Sequence, residues 1–441
     1  MKKSKYFSDP QAFLRLQFRA YEKPLLWMIL FFEIACPLLL SMKGDSFDSF
    51  SLICAAALPA ATVLIMNLLS RRFHIDKCLF LCAAFLCSLG LITLRSVKPG
   101  NAPNHAIYLL VGAVAMIIGV LLTRALDGSE KIYRLGAVAV VGVLLLPFAF
   151  HVGGDAHSWV KVGSHQFQPS ELMKPALIFI LASGFTRGSR EKYWWQYALF
   201  SVICFGIIAL QGDLGSAALY FMLIVALFAA GTGRVDWTVS GLVIAFIAAY
   251  FLIKYRDSIP RLSTLSNRIA IWQEPFAYLP PNATRSRDSS QIVSGLISVA
   301  SGGLTGAGLG LSYAGNVYVV ASDYIFAAIA EEYGMIFAIS VIGIYLIILL
   351  RGVSVAMNAR TRFHSLIAFG CTFIITVQML TIVAGNLLVI PLTGVTLPFV
   401  SDGGSSLVSC LMMMGMLLGV SGMNAEDEGD DYKKLKGRQL P

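Results

Sequence analysis

Apolar residues gather in twelve unbroken stretches, at about 26–42, 50–69, 78–95, 106–126, 134–151, 171–186, 196–211, 214–232, 237–254, 324–350, 363–389 and 405–422. The runs are continuous rather than alternating, so each predicts a helix and not a strand of a barrel. A hydrocarbon core of about 30 Å takes roughly 20 apolar residues to cross as a helix. Lipid offers backbone N–H and C=O groups no partner, so a spanning segment must bond within itself. The pattern predicts an all-α, polytopic transmembrane bundle of about twelve helices.

Composition removes the soluble alternative. Of 441 residues, 57% are hydrophobic and 13% charged, with mean hydropathy +0.72. A soluble domain carries about 25% charged residues, and half that density cannot cover a water-facing surface. Residues 1–25 are polar and basic, and no cleaved signal peptide follows them.

Orientation follows from the short connections. Arg71, Arg72 and Lys77, then Arg124, Lys131 and Arg134, then Arg187, Arg190 and Lys192, then Arg234, then Arg351, Arg360 and Arg362 fall in every second connection between spans. Twelve spans with both termini in the cytoplasm put all of them inside, with the charged tail from 423 to 441. The net charge of +9 is largely this bias, so it implies no nucleic-acid partner. Eight cysteines lie in or at the ends of apolar runs without metal-ligand spacing, as small buried residues do.

Three outward-facing loops remain, at 152–170, 255–323 and 390–404. No ATP-binding motif occurs, so chemistry at that face must be driven by the substrate itself. The long loop holds Arg256, Arg261, Arg268, Arg285 and Arg287 and no lysine, which suits bidentate recognition of phosphate or contact with lipid headgroups.

Ionisable groups at membrane depth are candidates for function. Asp213, in Gln-Gly-Asp-Leu-Gly, marks a helix turn and serves as a cap or as a functional group. Glu171 and Lys174 share a helix start after Pro169, three residues apart on one face, with Ser170 placed to cap. Asp323 stands where the long loop meets the helix from 324, as an N-cap or as a general base at the membrane surface. Glu331 and Glu332 follow, bundle-inward, placed to pair with cations; Glu33 is less specific. His151, His157 and His165 share a loop without a strong metal spacing.

Five stretches in order resemble the FtsW/RodA family of shape, elongation, division and sporulation proteins. They are Ser158-Trp159-Val160-Lys161-Val162-Gly163 with Phe167-Gln168-Pro169-Ser170-Glu171; Gln211 to Gly215; Arg268-Ile269 with Trp272, Pro275, Gln291 and Ser301 to Gly310; Ser322-Asp323-Tyr324-Ile325-Phe326-Ala327 with Glu331, Glu332 and Gly334; and Pro391 through Ser406. The resemblance implies a peptidoglycan glycosyltransferase that polymerises lipid II at the outer face of the bacterial cytoplasmic membrane, inverting at the anomeric carbon. Cell division, elongation and sporulation are the processes such enzymes serve. It implies Asp323 as the essential acidic residue, acting as general base, Glu171, Lys174 and Asp213 as supporting groups, and Trp159, Arg268, Gln291 and Ser405 in the substrate site. The loop arginines or a divalent cation would offset charge on the pyrophosphate. A class B penicillin-binding transpeptidase is the implied partner. The family has ten spans, which leaves residues 26–69 as an extra N-terminal hairpin before a core at 78–422. Ser158 and Gln166 stand where the family has arginines, Ala321-Ser322 replaces its His-Thr, Gly212 its proline, and Asp402 its usual aromatic. The missing arginines motivate a second reading, a catalytically weak scaffold for the transpeptidase. Intramembrane charges and broken helices motivate a third, a lipid II flippase or transporter.

Overall fold

A computed structural model describes residues 10–43, 48–126, 130–150, 158–163, 165–188, 194–254, 263–277, 283–313 and 319–437. The chain runs α1 (Pro10–Ser41), α2 (Ser49–Phe73), α3 (Lys77–Val97), α4 (Ala102–Ala125), α5 (Glu130–Ala149), β1 (Val160–Val162), β2 (His165–Phe167), α6 (Pro169–Gly188), α7 (Trp194–Leu210) and α8 (Leu214–Thr232). It continues through α9 (Val235–Lys254), α10 (Ser263–Gln273), α11 (Ala283–Ser301), α12 (Ile325–Tyr333), α13 (Met335–Met357), α14 (Arg362–Asn386) and α15 (Gly404–Gly437). Among the described residues eight helices are long and apolar enough to cross a membrane. Three shorter apolar helices, Arg134–Ala149, Trp195–Leu210 and Val235–Ile244, fall on three more expected segments. With α6 they account for all twelve runs, and the protein is a multi-pass helical membrane protein.

Helices α3, α14 and α15 are largely buried, whereas α1, α2, α4 and α13 turn most of their length outward. A helix apolar on every face suits the middle of a bundle, and α3 is one. The α1–α2 hairpin leans on α3 through a buried polar contact: Thr62 and Ser88 donate to Glu33 Oε1 at 2.8 and 2.7 Å. At one end of the bundle Arg351 pairs with Asp76 at 2.5 Å, Arg124 with Glu426 at 2.6 Å and Arg360 with Asp427 at 3.4 Å. These arginines are among those the charge pattern assigns to the cytoplasmic side.

Two expectations need correction. The segment 324–350 is two helices, because Gly334 breaks it at φ +89. A Cβ there would stand 2.4 Å from the Leu304 carbonyl oxygen, so only glycine admits the loop that crosses the break. The spanning part is Met335–Met357. The long loop, too long for a mere connector, contains α10 and α11. The final helix also runs beyond 422 to Gly437. Glu331 and Glu332 accept hydrogen bonds from the loop before them, and the Lys43 ammonium also acts on the Glu332 carboxyl. Glu331 accepts from Tyr313 N at 2.8 Å, and Glu332 accepts from Gly310 N at 3.0 Å and Ser312 Oγ at 3.2 Å.

Candidate active site

At the end of the bundle opposite those arginine pairs, Asp323 sits in a turn at 319–324 that leads into α12. Its amide donates to the Val319 carbonyl at 3.0 Å. The turn is held from two other elements. Asn386, at the end of α14, donates from Nδ2 to the Asp323 carbonyl at 2.6 Å and accepts the Ala327 amide at 3.2 Å. Ser401 Oγ donates to the Ser322 carbonyl at 2.6 Å, and the Asp402 amide donates to Ala321 at 2.8 Å. Tyr324 is the cap residue of α12, and no side chain caps that end. The Asp323 carboxyl therefore does not cap α12.

That carboxyl is half-buried and shares a small space with Arg268 of α10. Gly394, at φ +74, passes between them, and a Cβ on it would lie 3.4 Å from Arg268 Nη2 and 3.8 Å from Asp323 Oδ2. Arg268 also donates to the Leu392 carbonyl at 3.3 Å. Burial pushes the Asp323 carboxyl above its ordinary value, while the Ser322 hydroxyl and the Arg268 charge pull it back. A carboxylate made more basic by burial yet kept beside a cation has the character of a general base.

The other polar groups form two neighbouring sets. Lys174, fully buried, pairs with Glu171 at 2.7 Å and donates to Gln378 Oε1 at 3.1 Å. Gln378 in turn donates to the Thr396 carbonyl at 2.9 Å. Asp213 caps α8 by accepting from Ser216 N at 3.0 Å, and also accepts from Gln168 Nε2. The Gln168 amide donates to Ser405 Oγ at 3.3 Å. Ser170 does not cap α6: its hydroxyl has no partner, and its carbonyl accepts from Tyr220 at 2.6 Å.

The segment 391–406 touches all three sets, through Leu392 and Gly394, through Thr396, and through Ser405. The structure thus draws Glu171, Lys174, Asp213, Arg268, Asp323 and Ser405 around one loop. Trp159, ahead of the β1–β2 hairpin, is 40% exposed, and Gln291 is half-buried on α11. Neither shares a hydrogen bond with these sets among the described residues. His151, His157, Arg256 and Arg261 lie outside the described residues, as do the side chains of His165, Arg285 and Arg287. Among the described residues no group of three or more His, Cys, Asp and Glu could hold a metal.

Sequence reasoning missed Gln378 and Asn386. Both are amides inside the apolar run 363–389, and uncompensated amides in lipid would have been the signal.

The family described as cell cycle proteins, FtsW/RodA/SpoVE, has a model that matches residues 76–426. The peptidoglycan glycosyltransferase RodA of Mycobacterium tuberculosis is 28% identical over 393 residues, 80% of each chain. A probable peptidoglycan glycosyltransferase FtsW of Geobacter metallireducens is 31% identical over 333 residues, 72% of this chain and 84% of that one. A chain from a solved peptidoglycan synthase complex superposes with a TM-score of 0.62, at 22% identity over 79% of this chain and 98% of that one, a likeness of fold. Helices α1 and α2 precede the matched residues.

Proposed function

The chain belongs to the FtsW/RodA/SpoVE family, and on that premise we propose that it is a peptidoglycan glycosyltransferase using Asp323 as its general base. The observation that carries the reading is the uncapped, half-buried Asp323 carboxyl, raised in basicity and set beside Arg268.

In the proposed reaction Asp323 takes the proton from a sugar hydroxyl of one lipid II molecule. The oxygen attacks the anomeric carbon of a second, inverting it, and the bond to undecaprenyl pyrophosphate breaks. Arg268 steadies the negative charge that collects on the leaving pyrophosphate. The Glu171–Lys174–Gln378 chain and the Asp213–Gln168–Ser405 contacts hold the 391–406 segment against the substrate, and Trp159 and Gln291 border it. Asn386 and Ser401 fix the base, because a misplacement of about 1 Å costs on the order of a hundredfold in rate.

The site faces outward from the cytoplasmic membrane, with both termini in the cytoplasm and residues 26–69 forming an additional hairpin. A class B penicillin-binding transpeptidase is the proposed partner, supported by the likeness to a chain of a peptidoglycan synthase complex. The test is polymerisation of lipid II by purified protein, alone and with the transpeptidase. Glycan strands are expected from wild type. A partner complex that assembles but yields no strands would replace the enzyme with the scaffold.

A further inference from the structure

His105 is fully buried, and among the described residues neither ring nitrogen has a hydrogen-bond partner. Buried polar groups are nearly always satisfied, and an orphaned pair calls for an explanation, an absent ion or water among them. His105 Nδ1 stands 3.5 Å from Asp402 Oδ1. That is beyond the span of about 2.7–3.2 Å for an N–H···O hydrogen bond. It is close to the separation of about 3.0–3.4 Å expected for two adjacent ligands of one octahedral or tetrahedral metal ion.

The surroundings are built to hold this arrangement. Asn101 donates from Nδ2 to Asp402 Oδ2 at 2.8 Å, which leaves Oδ1 turned toward the histidine. Asn101 precedes α4 and His105 lies in its first turn, so both are fixed to a rigid element. Asp402 is fixed by its backbone N–H, which donates to the Ala321 carbonyl at 2.8 Å. The Asp402 side chain is 16% exposed, which gives an ion and its waters a way in.

We propose that His105 Nδ1 and Asp402 Oδ1, with Asn101 orienting the carboxylate, bind a divalent transition-metal ion whose remaining positions are filled by water. An imidazole nitrogen beside a carboxylate suits Mn²⁺ or Zn²⁺ and disfavours Mg²⁺, which holds to oxygen ligands. The bound ion braces the turn that carries Asp323, since Asp402 is tied directly to that turn. It also places positive charge at the outer end of the bundle, where Ser158 and Gln166 are uncharged. The site goes beyond the glycosyltransferase reading and stands or falls without it.

Mn²⁺ is the probe of choice, because the eight cysteines would compete for Zn²⁺. Electron paramagnetic resonance of Mn²⁺ titrated into the full-length protein in nanodiscs reads binding directly. Wild type is expected to bind one ion saturably. Asp402→Asn and His105→Gln, which nearly preserve volume, are each expected to weaken binding by about tenfold or more. Circular dichroism confirms that both variants keep wild-type helix content. Absence of saturable binding in wild type overturns the site, as do folded variants that bind as tightly as wild type. Neither result touches lipid II polymerisation, which is measured separately.

Discussion

Asp323 and Arg268 act on each other, and that coupling is measurable. Asp323 must be ionised to accept a proton, and burial raises its affinity for that proton while Arg268 lowers it. The activity of wild type should fall as the pH drops into a range above that of an ordinary aspartate. Arg268→Ala removes a positive charge that favours the ionised carboxylate, so the acid limb of the pH–rate profile should move to higher pH. Arg268→Lys should restore much of that position, because the charge survives even where the planar contact does not. A limb unmoved by Arg268→Ala would dissociate the two groups. Lys174 offers a test of the supporting network. Lys174→Met leaves Glu171 buried without its cation, a loss of about 3–5 kcal/mol by the usual cost of breaking a buried pair. The double variant Glu171→Gln, Lys174→Met should be more stable than Lys174→Met alone, as thermal unfolding in detergent would show.

At the scale of elements, the apolar period located every membrane helix, because in lipid one rule governs them all and no tertiary contact overrides it. It misjudged the stretch after Asp323 because α12 and α13 are both apolar and hydropathy is blind to a backbone turn. The signal was Gly334, whose positive φ only the structure reveals. Gly334→Val should destabilise by several kcal/mol, combining a strained backbone of about 1–3 kcal/mol with overlap against the Leu304–Gly306 backbone. A melting temperature within a degree of wild type would mean the break can relax. The charged residues of the site were legible one by one, since lipid makes each conspicuous. Their partners were not. Gln378, Asn386, Thr396 and Ser401 act through hydrogen bonds between segments far apart in the chain, and no spacing encodes those contacts.

Across the whole molecule, two ends of opposite character emerge. Arg124, Arg351 and Arg360 pair with acidic groups at one end, and Asp323, Glu171 and Asp213 gather at the other. If the first end is cytoplasmic, Trp159→Cys should react with an impermeant maleimide in intact cells, and Arg360→Cys only after permeabilisation. The reverse pattern would invert the topology and place the site on the wrong face for extracytoplasmic synthesis. In the proposed reaction the Asp323 carboxylate starts glycan polymerisation at the outer face. The most direct measurement compares wild type and Asp323→Ala in lipid II polymerisation, with equal helix content and equal partner binding verified. The account predicts glycan strands from wild type and none above background from the variant. Equal strands from both would contradict it and move the search for the base to Glu171 and Asp213.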